Sequence, residues 1–190
     1  GCVCTRVSSQ TRGVDRRLYE TSGEDQRGVS DEAGSFEKIN GEEEESYRIM
    51  TFQELKQLVT DQFPEAILGE DLNATPQALL VAPEAIHAVC AWLHAGEKTY
   101  FDSLSCLTGL DNGPEAGTME VIYNLYSIPY DLHLMLKVSL ERADPKVDTV
   151  SDIWKTANWH EREAYDLLGI HFNNHPDLRR ILLPKDWEGH

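Results

Sequence analysis

Residues 132–140 alternate between aliphatic side chains and other, mostly polar ones, and no other pattern in the chain restricts the fold as strongly. Leucine or valine occupies every even position, and His133, Met135, Lys137 and Ser139 lie between them. A period of two puts every second side chain on one face of a β-strand. The stretch therefore predicts a strand that buries one face in a sheet, with His133 on the solvent face.

Turn and cap signals place further elements around this strand. The spacing from Thr51 to Glu54 is that of a capping box and predicts a helix that Pro64 ends. Pro83 and Gly96 bound a second helix. Apolar stretches between turn residues predict the other strands, at 66–72, 77–82, 99–108 and 118–127. This order predicts an α+β fold, with a single, mainly antiparallel sheet, helices packed beside it, and extended N- and C-terminal arms.

The N-terminal residues 1–46 differ from the rest in composition. They are acidic and of low complexity, contain few large apolar side chains, and end in the glutamate run 42–45. Such a segment buries too little apolar surface to offset the entropy of ordering. We predict a tail that is ordered only on a partner, with a solubilising tail as the alternative. Residues 47–190 are predicted to form the α+β domain, with 170–190 as a docking arm.

The net charge of the chain is −16, from 17 basic and 33 acidic residues. A phosphate backbone would be repelled, so the sequence predicts no nucleic-acid partner. No apolar run reaches the ~18 residues of a membrane span, so we expect no direct span. Cys2 and Cys4 are too few ligands for a zinc or iron–sulfur site. Cys90 and Cys106 are predicted to pack as small apolar groups.

The densest chemistry lies in residues 158–182. Asn158 is predicted to cap a short helix, with Glu161 at capping-box spacing, and Gly169 to end it. Another short helix is predicted just before, at 151–156. The apolar residues of the capped helix are predicted to seat it on the sheet: Trp159, Ala164, Leu167 and Leu168.

Charged side chains crowd the same helix: Glu161, Arg162, Glu163 and Asp166. Exposed ion pairs contribute little to stability, so this density favours an interface at which each charge meets a partner. After the helix, a strand around His171 and a turn at 173–176 lead to Arg179 and Arg180, whose guanidinium groups bind carboxylates through paired hydrogen bonds. Their predicted partners are the helix carboxylates or acidic groups of another subunit.

The spacings in this region do not fit the common catalytic sites. The helix lacks the second histidine of a zinc-protease motif, because residue 164 is alanine. Glu161 and Glu163 are two residues apart and point to different sides of a helix, which disfavours a shared substrate. We expect no catalytic, cofactor-binding or metal residue. A free-standing metalloenzyme that uses His171, His175 and Glu163 is the least favoured alternative.

The spacing of the charged residues resembles the signature of a known family, the C subunit of NADH-quinone oxidoreductase (respiratory complex I). The J subunit of photosynthetic complex I and related hydrogenase subunits belong to the same family. The residues that carry the resemblance are Glu161-Arg162-Glu163, Asp166-Leu167-Leu168, His175 and Arg179-x-Ile181-Leu182. Weaker similarity covers further stretches, at 100–109, 123–126 and 153–159, so that the resemblance spans residues 50–190.

The resemblance implies a non-catalytic structural subunit in the hydrophilic arm of a proton-pumping NADH-quinone oxidoreductase, a translocase. Such a subunit supports electron transfer from NADH to quinone by holding its neighbours. The resemblance further implies a hetero-oligomer in which the D and B subunits are the main partners. FMN and iron–sulfur clusters would be carried by partner subunits and none by this chain, with quinone as the substrate of the complex.

The resemblance also implies a peripheral position on the cytoplasmic face of a bacterial inner membrane, or the equivalent organelle face. An equivalent subunit of a ferredoxin-linked or hydrogenase-type membrane complex is the alternative within the family. The residues that would be structural or lie at interfaces are Glu161, Arg162, Glu163, Asp166, Gly169, His175, Pro176, Arg179 and Arg180.

Overall fold

The computed structural model describes residues 50–184 and 186–190. The predicted tail at 1–46, with Cys2 and Cys4, lies outside the described residues. The α-helices of the described part are α1 (Phe52–Gln62), α2 (Ile86–Ala95) and α3 (Ala157–Leu168), and none of them is long and apolar enough to cross a membrane. The strands are β1 (Ile67–Asp71), β2 (Ala78–Val81), β3 (Ser103–Asp111), β4 (Thr118–Ser127), β5 (Leu132–Glu141), β6 (Lys146–Asp148) and β7 (His171–Asn173).

Five of the strands form one sheet, in the order β1-β2-β5-β4-β3. Neighbouring strands run antiparallel, except that β2 and β5 are parallel. A separate two-stranded parallel sheet joins β6 to β7. The predicted α+β class, with a mainly antiparallel sheet and helices beside it, is confirmed. The small second sheet is an addition that the sequence patterns did not indicate.

The alternation at 132–140 has the predicted effect. The leucines and the valine of β5 are buried, and each lies opposite a residue of β4 that is also buried, as Leu136 does opposite Tyr123. His133 is exposed on the other face, where its ring stacks on Tyr126 with the centroids 4.4 Å apart. One face of the sheet therefore holds the core.

The two N-terminal helices begin and end close to where the sequence predicts. The Glu54 N–H donates to the Thr51 hydroxyl at 3.3 Å, and the Thr51 N–H donates to the Glu54 carboxylate at 2.9 Å, which completes the capping box of α1. Pro83–Ala85 form one 3₁₀ turn before α2, and Gly96 ends α2. The inward stripe of α2 is fully buried in the core: Ile86, Val89, Cys90 and Leu93.

One predicted strand boundary and one predicted helix are wrong. β3 begins at Ser103 rather than Thr99, because the chain turns at Tyr100, where φ is +31°. Residues 151–156 form turns instead of a helix. The reason is the burial of Trp154, whose indole N–H donates to a loop carbonyl at 3.0 Å and fixes the segment against the core.

Gly109 on β3 lets α3 approach the sheet closely. A Cβ atom at this position would lie 2.6 Å from Leu168 Cδ1 and 2.8 Å from Ile170 Cδ1. Both distances are well inside the optimal separation of two carbon atoms. Ala164 of α3 would be 3.7 Å from the same point. The missing side chain therefore leaves room for the ends of two apolar side chains against the strand.

Gly109→Ala is expected to push the side-chain ends of Leu168 and Ile170 away from β3 and to lower the free energy of unfolding by about 1 to 3 kcal/mol, the usual cost of overpacking. Urea unfolding followed by circular dichroism measures the change. Gly69→Ala is the matched control, because its Cβ would lie 4.0 Å from Leu80 Cδ1, an ordinary contact. Equal effects of the two substitutions would contradict the close approach of α3.

Candidate functional site

α3 carries many of the predicted site residues, and it begins earlier than predicted. Thr156, not Asn158, is its N-cap, so Asn158 lies within the first turn. The capping-box prediction for Asn158 and Glu161 is wrong, because the Glu161 carboxylate contacts the segment before the helix instead. Gly169 ends the helix as predicted, with φ of +74° in the left-handed region that glycine favours.

Of the four apolar residues predicted to seat α3 on the sheet, Ala164 and Leu168 do so, but charged groups share this inner face. Glu161 and Asp166 are completely buried, and Arg162 is only 6% exposed. Trp159 and Leu167, predicted to seat the helix on the sheet, are 62% and 40% exposed. The helix thus has charged groups on its inner face and large apolar groups on its outer face. Its stability depends on the partners that the buried charges find inside the domain.

The Glu161 carboxylate joins α3 to the loop after β6. It accepts hydrogen bonds from the Thr149 hydroxyl and, at 2.8 Å, from the Val150 N–H. The Ser151 N–H donates to Thr149 Oγ1 at 3.1 Å and so fixes the position of that hydroxyl. Burial raises the pKa of Glu161 to about 7, against the opposing effect of the two donors.

His175 lies beside Glu161 as a neutral imidazole. The Asp177 N–H donates to Nδ1 at 3.0 Å, so the ring proton is on Nε2, which donates to the Asn158 carbonyl at 3.3 Å. Burial lowers the pKa of His175. Because the ring stays neutral near pH 7, its 3.7 Å approach to Glu161 Oε2 is a polar contact rather than an ion pair.

Asp166 anchors the C-terminal segment of the chain. Its Oδ2 atom accepts three backbone hydrogen bonds, from the N–H groups of Ile181, Leu182 and Leu183, at 2.9, 2.6 and 2.9 Å. Arg180 Nε lies 3.7 Å from the other carboxylate oxygen. Burial by itself raises the pKa of Asp166, but these donors and the Arg180 charge outweigh it and hold the pKa below its ordinary value.

Arg162 links the inner face of α3 to the same segment. Its Nε donates to the Arg179 carbonyl at 3.1 Å. The guanidinium also lies over the Trp159 ring, 4.9 Å from the centroid, where a cation is attracted to the π-face. The N-terminal half of α3 is therefore hydrogen-bonded to the segment that follows β7.

Arg179 and Arg180 were predicted to meet helix carboxylates or acidic groups of another subunit, and Arg180 lies near a helix carboxylate. Arg180 also donates to the carbonyls of Trp187, at 3.0 Å, and Gly189, which folds the chain end back on itself. Arg179 is exposed and pairs with Asp177 at 3.0 Å. An exposed pair of this kind contributes little to the stability of the domain.

Glu163, Gly169 and Pro176 complete the predicted set. Glu163 is exposed on the outer face of α3. The His190 ring packs against Gly169, where a Cβ would lie 2.8 Å from a ring carbon. Pro176 is exposed at a cavity of about 420 Å³, which Thr149 also lines.

The predicted site residues divide into two groups. The inner group binds other parts of this chain: Glu161, Arg162, Asp166, Gly169, His175 and Arg180. Glu163, Pro176 and Arg179 are exposed, and their contact with other subunits stays a prediction. Thr149 and Val150 were missed, because a threonine outside any motif and a backbone N–H leave no spacing signal in a sequence.

The structure does not assemble the alternative metal site of His171, His175 and Glu163. Both ring nitrogens of His175 are engaged in hydrogen bonds, and the other two side chains are exposed on β7 and α3. Among residues 50–184 and 186–190, no group of three or more histidine, cysteine, aspartate or glutamate side chains is arranged to hold a metal ion.

Known proteins share this domain. Residues 79–190 match the family model of the respiratory-chain NADH dehydrogenase 30 kDa subunit. The C subunit of NADH-quinone oxidoreductase from Geobacter sulfurreducens is 47% identical over 111 residues, which cover 58% of this chain and 67% of that protein. The corresponding protein of Chloroherpeton thalassium is 38% identical over 135 residues, which cover 70% of this chain and 55% of that protein.

A solved structure also matches the fold. The trypsin-resistant fragment (1–134) of Nqo5 has a TM-score of 0.54 and 29% identity, over 65% of this chain and 98% of the fragment. The fold and the matched region define an α+β domain of the kind found in respiratory-complex subunits. The chain belongs to the 30 kDa subunit family of the respiratory-chain NADH dehydrogenase, and the resemblance seen in the sequence is confirmed. The chain spans 55% of the length of the C. thalassium relative.

The raised pKa of Glu161 predicts a pH dependence. Between the ordinary value of 4.5 and about 7, the folded state keeps a proton that the unfolded state has released, so stability from this group falls as pH rises through that window. The side chain of Glu161→Gln cannot ionise. The unaltered chain should therefore lose roughly 2 to 3 kcal/mol more free energy of unfolding than this variant between about pH 5 and about pH 8. Urea unfolding across this pH range measures it.

The control for this experiment is Glu163→Gln, which changes an exposed glutamate of the same helix and should leave the pH dependence as it is in the unaltered chain. Comparing variants with the unaltered chain cancels the contributions of distant groups. His175 contributes in the opposite direction, because its lowered pKa makes stability rise with pH. An identical pH dependence in Glu161→Gln and the unaltered chain would show that Glu161 does not titrate in this window.

Asp166→Ala is expected to release residues 181–183 and to lower the free energy of unfolding by about 2 to 4 kcal/mol, because three N–H donors lose a charged acceptor. Limited trypsin digestion should then cleave faster after Arg180. Asp177→Ala, which removes an exposed carboxylate, should change neither quantity. Unchanged cleavage in Asp166→Ala would mean that other contacts hold the segment.

Proposed function

We propose that this chain is a non-catalytic structural subunit of the hydrophilic arm of a proton-pumping NADH-quinone oxidoreductase. It supports electron transfer from NADH to quinone by holding neighbouring subunits. Membership of the 30 kDa subunit family supports this function. The observation that carries the structural role is the use of the buried carboxylates: Glu161 and Asp166 bind backbone N–H groups of the chain itself. Carboxylates engaged in this way position the backbone.

The inner contacts of α3 give the subunit a rigid frame. Glu161 fixes the loop after β6, while Arg162 and Asp166 fix residues 179–183. Segments with little regular structure are thereby held on one helix, which Gly109 allows to lie close to the sheet. Exposed residues on these segments are presented to a partner in fixed positions, and this reduces the entropy lost on binding.

The proposal extends to partners, cofactors and location. Other subunits of the same complex bind the chain and associate it with the membrane, and the names of the relatives support this. The D and B subunits are the closest partners in this proposal. Partner subunits carry FMN and iron–sulfur clusters, and quinone is the substrate of the whole complex. The chain lies on the cytoplasmic face of a bacterial inner membrane, or on the equivalent organelle face.

Affinity purification from native membranes tests the proposal. The tagged chain should co-purify the other subunits of an NADH-quinone oxidoreductase, identified by mass spectrometry. Co-purification of ferredoxin-linked or hydrogenase-type subunits would instead select the alternative within the family. Recovery of the chain alone from solubilised membranes would contradict the structural role.

Arg179→Ala combined with Arg180→Ala is expected to reduce the amount of assembled complex about fivefold or more, because the exposed guanidinium and the fold of the chain end are lost together. Native gel electrophoresis and quinone reduction by the membranes measure the effect. The control is Arg142→Ala, which removes a different arginine–carboxylate pair, with Asp111 on β3. Normal assembly and quinone reduction in the double variant would mean that this part of the predicted interface is wrong.

A further inference from the structure

The outer face of α3 carries two large apolar side chains with a glutamate between them. Trp159, Glu163 and Leu167 are four residues apart, so they lie on one side of the helix. We call these three residues the outer stripe. The apolar face of a helix usually turns to the core, but here buried charged groups share the core side with Ala164 and Leu168. Two large apolar side chains are therefore left on the surface.

A cleft of about 220 Å³ lies beside the outer stripe, between α3 and β3, an outermost strand of the five-stranded sheet. Its walls are mostly apolar, with Leu107 and Gly109 on the strand side and Leu168 on the helix side. Thr108, His160 and Glu163 contribute the polar groups. The cleft therefore combines an apolar interior with an exposed carboxylate, a composition typical of a site that receives one anchoring side chain.

One face of the Trp159 ring is covered by a cation of the same helix. The guanidinium of Arg162 lies 4.9 Å from its ring centroid and is itself fixed by the bond to the Arg179 carbonyl. A side chain that is already ordered loses less entropy when it is covered. Tryptophan is also among the residues most enriched at the energetic centres of protein interfaces. The indole is therefore suited to be an anchor on this surface.

Charge identifies the kind of partner. Glu163 places a negative charge at the cleft, and the whole chain has a net charge of −16. A second copy of the chain would bring the same net charge and the same carboxylate, and would be repelled. A segment with a basic side chain would instead be attracted, and its apolar neighbours could fill the cleft.

We propose that the outer stripe and the cleft bind a segment of another subunit, which inserts an apolar side chain into the cleft and places a lysine or arginine against Glu163. This inference rests on the proposed function, because it names the chemistry of a partner within the same complex. The apolar contacts of Trp159 and Leu167 supply most of the affinity. The charge pair at Glu163 sets the register of the bound segment.

Assembly of variant chains in the native host tests the inference. Glu163→Lys and Leu167→Lys should each lower the amount of assembled complex about fivefold or more. The matched controls are Glu115→Lys in the β3–β4 loop and Ile128→Lys after β4, which alter residues that are also exposed, and they should assemble normally. Circular dichroism of each purified variant checks that the domain is folded.

A photo-crosslinking amino acid at position 167 identifies the occupant. The expected product contains a peptide of another subunit with a basic residue beside apolar ones. Replacing that basic residue with glutamate should restore assembly of the Glu163→Lys variant. A crosslink to a second copy of this chain, or normal assembly of both stripe variants, would overturn the inference alone. An unaltered chain that joins no complex would instead contradict the proposed function.

Discussion

Two carboxylates buried on the inner face of α3 determine how the C-terminal half of the domain is arranged. A carboxylate taken out of water needs several hydrogen-bond donors. Glu161 obtains them from Thr149 and Val150, and Asp166 obtains them from residues 181–183. Each carboxylate therefore binds a segment that has little regular structure of its own. The helix, the loop after β6 and the chain end are held together by these contacts.

The charged side chains of α3 therefore have two separate roles. The inner charges position backbone, and the outer one, on Glu163, is exposed between Trp159 and Leu167. A subunit that holds its neighbours needs a rigid frame and exposed side chains that partners can contact. The inner face of α3 supplies the frame, and its outer face supplies the exposed side chains. Gly109 contributes to both sides of this arrangement. Because it has no side chain, the apolar side chains of the helix pack closely on the edge strand of the sheet. The same glycine forms part of the strand wall of the cleft.

Several patterns that act over a few residues were predicted correctly, although the capping box expected at Asn158 does not form. The capping box of Thr51 and Glu54, the alternation at 132–140 and the left-handed Gly169 all depend on immediate neighbours in the chain. The parallel pairing of β2 with β5, and of β6 with β7, joins segments that are distant in sequence. No local pattern reports such a pairing, which is why the second sheet was not predicted.

The sequence by itself determined the α+β class, the ends of most helices and strands, and the family, whose signature is a set of spacings along the chain. It also indicated residues 158–182 as the stretch densest in charged groups. Only the tertiary structure decided which face of α3 is covered, because hydrophobicity alone turns Trp159 inward and Glu161 and Asp166 outward. The reverse is stable since distant backbone N–H groups meet the buried carboxylates, and helical periodicity carries no information about donors elsewhere in the chain.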